Sequence, residues 1–229
     1  MIKISIIHPS RGRSALAKAV CEEWSACARY PEGIEYFIGA DENDVTKDDY
    51  KKIFENMNHK FASFELSINP TTNIIQCINF LATKISPTTE LILSVSDDQG
   101  SEQDWDVKLL ELLNGVDNFK TPKFIGVDDG MHPYGNFLYY IIVNRAYYNK
   151  FGHLLYPEYD GCYGDDDICC KSKAMGCVIN APHIKFQHRH HSLGMTPFDA
   201  TYAKHNNVAD AERNHLIFIE RQKRNFDIG

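Results

Sequence analysis

Apolar residues follow two different periods through the first half of the chain. Ile2, Ile4 and Ile6 alternate with polar neighbours, which predicts a strand that ends at the turn formed by His8 and Pro9. Short branched apolar runs predict two more strands, over 34–40 and 90–95. Apolar residues spaced three or four apart predict helices over 14–30, 71–85 and 105–113. This alternation indicates an α/β fold with a Rossmann-like, mostly parallel sheet flanked by helices.

The second half of the chain has a mixed pattern. Strands are predicted over 123–127, 138–143, 178–180 and 184–188. Short helices over 145–150 and 166–175 end near Gly152 and Gly176, and a last helix covers 210–224. We therefore expect a mixed C-terminal half rather than strict strand–helix–strand units.

Composition is that of an ordinary globular protein. The chain has 229 residues, 43% of them hydrophobic, and 24 basic against 31 acidic residues, which gives a net charge of −7. No repeat or linker divides it, so one domain over 1–229 is expected. Its apolar runs fall far short of the roughly 20 residues that a membrane span needs. Seven cysteines without a secretory signal predict reduced thiols in a cytoplasmic compartment, and the lack of a C-x2-C pair disfavours structural zinc.

The negative net charge disfavours a general nucleic-acid binder, because phosphate contacts need a basic surface. A local basic face is still conceivable near the C-terminus. Its candidate members are Lys185, Arg189, Arg213, Arg221, Lys223 and Arg224.

Two acidic clusters are candidates for chemistry. Asp97 and Asp98 follow the predicted strand 90–95, where their oxygens suit Mg²⁺ or Mn²⁺, although a solvated turn is an equal alternative. Asp165, Asp166 and Asp167 open a predicted helix after an aromatic, glycine-containing loop. Helix capping explains one or two of these aspartates, so a remaining carboxylate is available to act as a general base.

Imidazoles and guanidiniums form two more clusters. His188 and His190 follow a late strand and share one face at a spacing of two, which makes metal or phosphate contact and an inert surface loop equal alternatives. Arg11 and Arg13, in the loop that opens the first helix, suit a diphosphate or form a solvated basic turn. Neither a dinucleotide-binding glycine motif nor a P-loop motif is present.

A last cluster, Asp41 and Asp44, follows the second predicted strand. These carboxylates could contact a ribose or a base edge, or form a polar turn. All five clusters fall at strand or helix ends, and ligands of open α/β sheets bind beyond the carboxyl ends of the strands.

In this order along the chain, the clusters resemble those of GT-A glycosyltransferases, and more narrowly the family-two-like inverting enzymes that use nucleotide-diphosphate sugars. The segment 143–152 is also similar to that family's acceptor-side segment. The resemblance covers about residues 2–191. It implies a GT-A fold and a metal-dependent transferase that moves a sugar, most naturally from a UDP-sugar, to an acceptor hydroxyl with inversion.

The resemblance also implies a role for each cluster. Pro9, Ser10, Arg11 and Arg13 would line the entrance of the donor nucleotide, and Asp41 with Asp44 would contact its base or ribose. Asp97 and Asp98 match the metal motif, with Asp97 beside the donor, and His188 or His190 matches the late metal-binding histidine. Asp166 matches the general base, with Asp165 where a glutamate commonly precedes it. Ser96 stands at the first position of the usual D-x-D, so which aspartate binds Mn²⁺ or Mg²⁺ stays open, as does the base among 165–167.

We expect a donor-nucleotide half over 1–100, an acceptor and catalytic half over 101–195 and a helical extension over 196–229. The sequence leaves the acceptor open: a glycan, a protein or a modified phage DNA base would each fit, in a bacterial or phage-infected cytoplasm. Two other functions use similar residues: a metal-dependent phosphohydrolase or nucleotidyltransferase, and a non-catalytic module that binds sugar nucleotides or glycans.

Overall fold

A single mixed sheet organises the described part of the chain. The computed structural model describes residues 1, 3–55, 57–71, 73–114, 119–131, 138–205 and 208–228. The predicted strand residue Ile2 lies outside these ranges. The strands are β1 (Ile4–Ser10), β2 (Ile34–Asp41), β3 (Ser63–Asn69), β4 (Leu91–Ser94), β5 (Phe124–Asp128), β6 (Ile141–Asn144) and β7 (Val178–Lys185). Their spatial order is β3-β2-β1-β4-β6-β5-β7.

The sheet is parallel apart from one strand. β1 pairs in parallel with β2 and β4, and β2 pairs in parallel with β3. β6 runs antiparallel to both β4 and β5, and β7 is parallel to β5. This arrangement confirms the expected mostly parallel α/β sheet with a mixed second half.

Helices cover the sheet and follow the predicted pattern in most places. Their bounds are α1 (Ser14–Cys27), α2 (Lys47–Phe54), α3 (Ile74–Ala82), α4 (Trp105–Asn114), α5 (Arg145–Phe151), α6 (Gly164–Ala174), α7 (Ala200–His205) and α8 (Val208–Lys223). α1 ends before the predicted residue 30, where the Asp106 carboxylate accepts hydrogen bonds from the backbone of Arg29 and Tyr30 at 2.8 Å. The Gly152 backbone has φ +70° and ends α5 in the left-handed conformation that glycine favours.

The structure differs from the predicted elements at α2, β3 and β7. α2 and β3 were not predicted, because α2 is short and β3 is a half-exposed edge strand without a clear apolar run. The strands predicted at 178–180 and 184–188 are the single edge strand β7, with an irregular register opposite Val127 and Asp128. Pro182 lies inside it, which an edge strand tolerates.

Alternate residues of β1 pack into two apolar clusters. Ile4 and Ile6 belong to the cluster with Trp24 and Trp105, and Ile7 belongs to the cluster with Leu81. Trp24 Nε1 donates to the Gln99 carbonyl at 2.9 Å, so this core also holds the loop that follows β4. No helix in the described ranges is both long and apolar enough to cross a bilayer.

Candidate functional site

A cavity of about 630 Å³ lies at the carboxyl edge of the parallel strands. Ser10, Asp41 and Ser94, the last residues of β1, β2 and β4, contribute to its wall. Parallel strands end on the same side of a sheet, which is why sequence-distant clusters meet here. Of the predicted site residues, the cavity is lined by Pro9, Ser10, Arg11, Arg13, Asp41, Asp97, Asp98, Asp165, His188 and His190. Asp44 and Asp166 are not among the lining residues.

Asp97 is held by side chains of β1. Its Oδ1 accepts hydrogen bonds from His8 Nε2 at 2.9 Å and from Ser10 Oγ at 2.7 Å. His8 Nδ1 lies 2.6 Å from the Tyr36 hydroxyl, and the Tyr50 hydroxyl lies 2.7 Å from Ser10 Oγ. A buried network of this kind fixes the carboxylate in one orientation, so Asp97 is tied to the floor of the cavity.

Asp98 faces the late histidine. Its Oδ2 lies 3.5 Å from His188 Nε2 and accepts a hydrogen bond from the Tyr202 hydroxyl at 2.6 Å, and its Oδ1 accepts one from Ser96 at 2.6 Å. Burial acts to raise the pKa of Asp98, but hydrogen bonding and charge from His188, with the two hydroxyls, hold it well below its usual value. Asp98 is therefore an anion over the whole neutral range.

The two arginines of the first loop are already paired. Arg11 donates to Asp41 and, at 2.7 Å, to Asn43. Arg13 forms a two-pronged ion pair with Asp199, both contacts at 2.7 Å, and its guanidinium lies 4.0 Å from the centre of the Tyr202 ring. A diphosphate would have to share these guanidiniums with carboxylates, and Asp199 and Tyr202 connect α7 to this loop.

Asp44 lies in the loop after β2 and stabilises it. Its Oδ2 accepts a hydrogen bond from the Gly12 backbone at 2.8 Å, and its Oδ1 accepts two from Thr46, also at 2.8 Å. The side chain is buried and does not reach the cavity. The structure thus places Asp44 in loop support, between the first and second strand-end loops.

The three aspartates of α6 have three different environments. Asp165 lines the cavity, and its Oδ1 accepts a hydrogen bond from the Asp166 backbone at 3.1 Å. Burial and the charge of Asp165 raise the pKa of Asp166 to about 6. Asp167 is buried against Arg221, with contacts of 2.8 and 3.2 Å, and accepts a hydrogen bond from Tyr159 at 3.1 Å. Asp167 is therefore committed to packing, which leaves Asp165 and Asp166 as base candidates.

Removing the carboxylate of Asp167 should destabilise the fold. Asp167→Ala leaves the Arg221 guanidinium, which is only 2% exposed, without this partner, so we expect a loss of about 3 kcal/mol in the free energy of unfolding. Urea denaturation measures it. Asp48→Ala, on the exposed surface of α2, is the matched control and should change stability little. Equal stability of the two variants would contradict the structural role of Asp167.

Five of the six candidate members of the basic face pair with carboxylates. Arg221 is buried against Asp167, and Arg189 pairs with Glu23 at 2.6 Å. The other ion pairs are Arg213 with Asp160, Lys223 with Glu220, and Arg224 with Asp227. Each pair offsets one positive charge that a phosphate backbone would otherwise contact.

His188 and His190 lie together, as their spacing predicted. Their ring centres are 5.3 Å apart and both line the cavity. His190 Nδ1 lies 2.9 Å from the Ser192 hydroxyl. His191 instead packs between Phe198 and Tyr202, with ring-centre distances of 5.1 and 4.3 Å.

Several lining residues escaped the sequence-based reasoning. They are Asn73, Tyr139, Thr201, Tyr202, Asp210 and Asn214. His8 was missed as the residue that orients Asp97. A histidine in the middle of a buried strand was the available signal for His8, whereas the residues from α7 and α8 carry no local pattern that distinguishes them from ordinary helix surface.

Asp98 and His188 fit a divalent ion that a substrate helps to coordinate. Together they offer a carboxylate oxygen and an imidazole nitrogen, and the buried Nδ1 of His188 has no hydrogen-bond partner within the described ranges. No group of three His, Cys, Asp or Glu side chains comes together as a cage in those ranges. Ions of the Mg²⁺ type are often held by one or two carboxylates plus substrate phosphates, so two protein ligands suffice for such a site.

Known structures share this fold. TarS from S. aureus superposes with a TM-score of 0.61 over 81% of this chain, at 10% identity. The mannosyltransferase PcManGT from Pyrobaculum calidifontis, solved with GDP-Man and Mn²⁺, gives 0.58 over 81% at 10% identity. The catalytic domain of Drosophila β1,4-galactosyltransferase 7, in complex with xylobiose, gives 0.54 over 89% at 15% identity. The chain has the GT-A fold.

This GT-A chain spans only part of two of these proteins: 36% of TarS and 56% of PcManGT, against 79% of the galactosyltransferase domain. Neither a protein-family model nor a curated protein sequence matches it. At 10–15% identity the likeness concerns the fold, so the chemistry has to be argued from the residues of the site.

Proposed function

We propose that this chain is an inverting glycosyltransferase that uses a UDP-sugar and a divalent ion, with Mn²⁺ preferred to Mg²⁺. One observation carries the proposal: a single cavity is lined by Arg11 and Arg13, by the anionic Asp98 beside His188, and by Asp165 at the start of α6. Groups suited to a diphosphate, to a cation and to proton removal thus share one space. The proposal that the donor nucleotide is UDP is supported by the TarS structures, which were solved with UDP and with UDP-GlcNAc.

The transfer step follows from these positions. Asp165, which lines the cavity, or Asp166 next to it, whose pKa is raised to about 6, takes the proton of an acceptor hydroxyl, and the oxygen then forms a bond to the anomeric carbon. The bond between that carbon and the diphosphate oxygen breaks on the opposite face, and the diphosphate leaves with the electron pair. Attack from the face opposite the leaving group inverts the configuration.

Asp98 and His188 would hold the ion, which would supply positive charge to offset the charge that develops on the departing diphosphate. Asp97 stays tied to His8 and Ser10, beside the donor. Arg11 and Arg13 would contact the diphosphate once it competes with Asp41 and Asp199. His190 lies close enough to His188 to serve as an alternative ligand.

The proposal also covers the organisation of the chain. Residues 1–100 would bind the nucleotide and 101–195 would supply the acceptor side, with 196–229 as a helical extension. All seven cysteines are free thiols, which supports a reducing, cytoplasmic location.

A panel of nucleotide sugars tests the proposal. UDP-sugars with Mn²⁺ should bind and release UDP, slowly with water as acceptor and faster with a suitable hydroxyl. A phosphohydrolase or nucleotidyltransferase would instead release phosphate or pyrophosphate, and a binding module would bind the donor without turnover across a broad acceptor panel. Indifference to both UDP and Mn²⁺ would overturn the proposal.

A further inference from the structure

One wall of the cavity is built from α8 and the segments packed against it. We call it the α8 wall and define it by Asn73, Asp160, Cys162, Asp210 and Asn214, all of which line the cavity. Asn73 lies at the start of α3, Asp160 and Cys162 precede α6, and Asp210 and Asn214 are one turn apart on α8.

Asn214 has an unused donor at this wall. Its side chain is 0% exposed, and its Oδ1 accepts a hydrogen bond from the Asp160 backbone at 3.2 Å, which fixes the orientation of the amide. Its Nδ2 is buried and has no partner within the ranges that the structure describes. Buried polar groups are nearly always hydrogen-bonded, so the Nδ2 of a cavity-lining residue is expected to donate to a ligand oxygen.

Asp160 is arranged by its neighbours. Asn73 Nδ2 donates to its Oδ1 at 3.3 Å, and Arg213 forms an ion pair with its Oδ2. This ion pair neutralises the charge of Arg213, which directly precedes Asn214 in the chain. Arg213 is therefore not available to bind an anionic ligand at the wall. Within the described ranges, the lysine and arginine side chains that line the cavity are Arg11 and Arg13, both paired with carboxylates.

Negative charge surrounds the middle of the wall. Burial raises the pKa of the Cys162 thiol, and the nearby charges of Asp165, Asp166 and Asp210 raise it further. Carboxylates accept hydrogen bonds from sugar hydroxyls, but they repel phosphate groups in a partly dehydrated cavity. The wall therefore offers hydrogen-bonding groups for hydroxyls in a field that disfavours anions.

We propose that the α8 wall is the acceptor subsite and that its ligand is an uncharged glycan, with Asn214 Nδ2 donating to a ring or hydroxyl oxygen. Carboxylates of the wall accept from other hydroxyls. A polymer with a phosphate backbone, such as DNA or a polyol phosphate, is excluded by charge. This inference rests on the proposed function, because it assigns the acceptor of the same site.

The test compares acceptor classes on the full chain with UDP-sugar and Mn²⁺ present. The probes are an array of neutral oligosaccharides, a polyglycerol phosphate, DNA oligonucleotides and serine-containing peptides. We expect transfer to neutral oligosaccharides only. Preferential transfer to a phosphate polymer, to DNA or to a peptide overturns the inference, and so does transfer to none of the neutral oligosaccharides by a protein that binds UDP.

Variants of Asn214 test whether the α8 wall causes the preference for neutral oligosaccharide acceptors. Asn214→Asp keeps an oxygen that accepts from the Asp160 backbone but removes the Nδ2 donor, so the acceptor KM should rise about tenfold or more, with kcat changed less. Asn214→Leu removes both groups, and its thermal unfolding shows whether the fold is kept. Gln222→Leu, an exposed amide on the same helix, is the matched control and should keep the acceptor KM.

An unchanged acceptor KM in both folded Asn214 variants would overturn the inference and leave the proposed function standing. Failure of the wild-type protein to bind UDP or release it from any UDP-sugar would instead remove the proposed function itself. UDP binding by the wild type therefore separates the two failures.

Discussion

Asp166→Asn is expected to lower kcat for sugar transfer by about 100- to 10,000-fold, the range typical of a lost general base. The amide cannot take the proton of the acceptor hydroxyl, whereas donor binding at the other residues should remain. Steady-state release of UDP with a saturating acceptor measures the loss. Asp48→Asn, on the exposed side of α2, is the control and should keep wild-type turnover.

The pH profile identifies the base more sharply. Burial and the charge of Asp165 raise the pKa of Asp166 to about 6, so the active carboxylate form is lost as the pH falls below 6 and kcat falls with it. Asp165→Asn removes the neighbouring charge, which should shift this acidic limb to lower pH with a smaller loss of turnover. An unshifted limb in Asp165→Asn, or near wild-type turnover in Asp166→Asn, would reject Asp166 as the base.

Stability provides an independent check that Asp166→Asn is folded. A carboxyl whose pKa is higher in the folded than in the unfolded state binds more protons when folded, so its contribution to stability is present at low pH and declines as the pH rises through about 6. Replacing it by an uncharged amide should therefore not lower the stability at pH 7. A large loss of stability at pH 7 would mean that the turnover result reports unfolding.

Asp98→Asn and His188→Ala are each expected to reduce Mn²⁺-stimulated turnover about 100-fold. They remove the paired oxygen and nitrogen donors that face each other at 3.5 Å, and a metal ion at a departing phosphate contributes several kcal/mol to the rate. Titration of UDP with and without Mn²⁺ separates the metal contribution, since affinity without the metal should change little. His183→Ala, on the exposed face of β7, is the control. Unchanged Mn²⁺ dependence in both variants would exclude this site.

The parallel half of the fold was predictable because its strands are buried on both faces. Ile4 and Ile6 pack on one side of the sheet and Ile7 on the other, so β1 is recognised from its own residues. β3 was missed because an edge strand needs only one buried face, and its apolar residues are half-covered. Local periodicity thus identifies the central strands. It fails at the sheet edges, where strand formation depends on contacts with residues that are distant in sequence.

The strand-end clusters were predictable for a similar reason. Residues that directly follow parallel strands lie at one edge of a sheet, and this brings Arg11, Asp41, Asp97 and Asp98 to one cavity. The separate structural role of each carboxylate was not predictable. Asp97 and Asp98 are adjacent, yet one is bound by β1 side chains and the other faces His188, 90 residues further along the chain.

The sequence alone determined the central strands, most of the helices and the polar clusters at strand ends, because burial periodicity and the chemistry of strand ends are properties of short segments. Only the tertiary structure decided that Asp167 belongs to Arg221, that Asp44 supports a loop, and that Asn214 reaches the cavity. Each of these depends on a contact between residues at least 30 positions apart. Such contacts form when packed elements are placed against one another, and no local pattern encodes them.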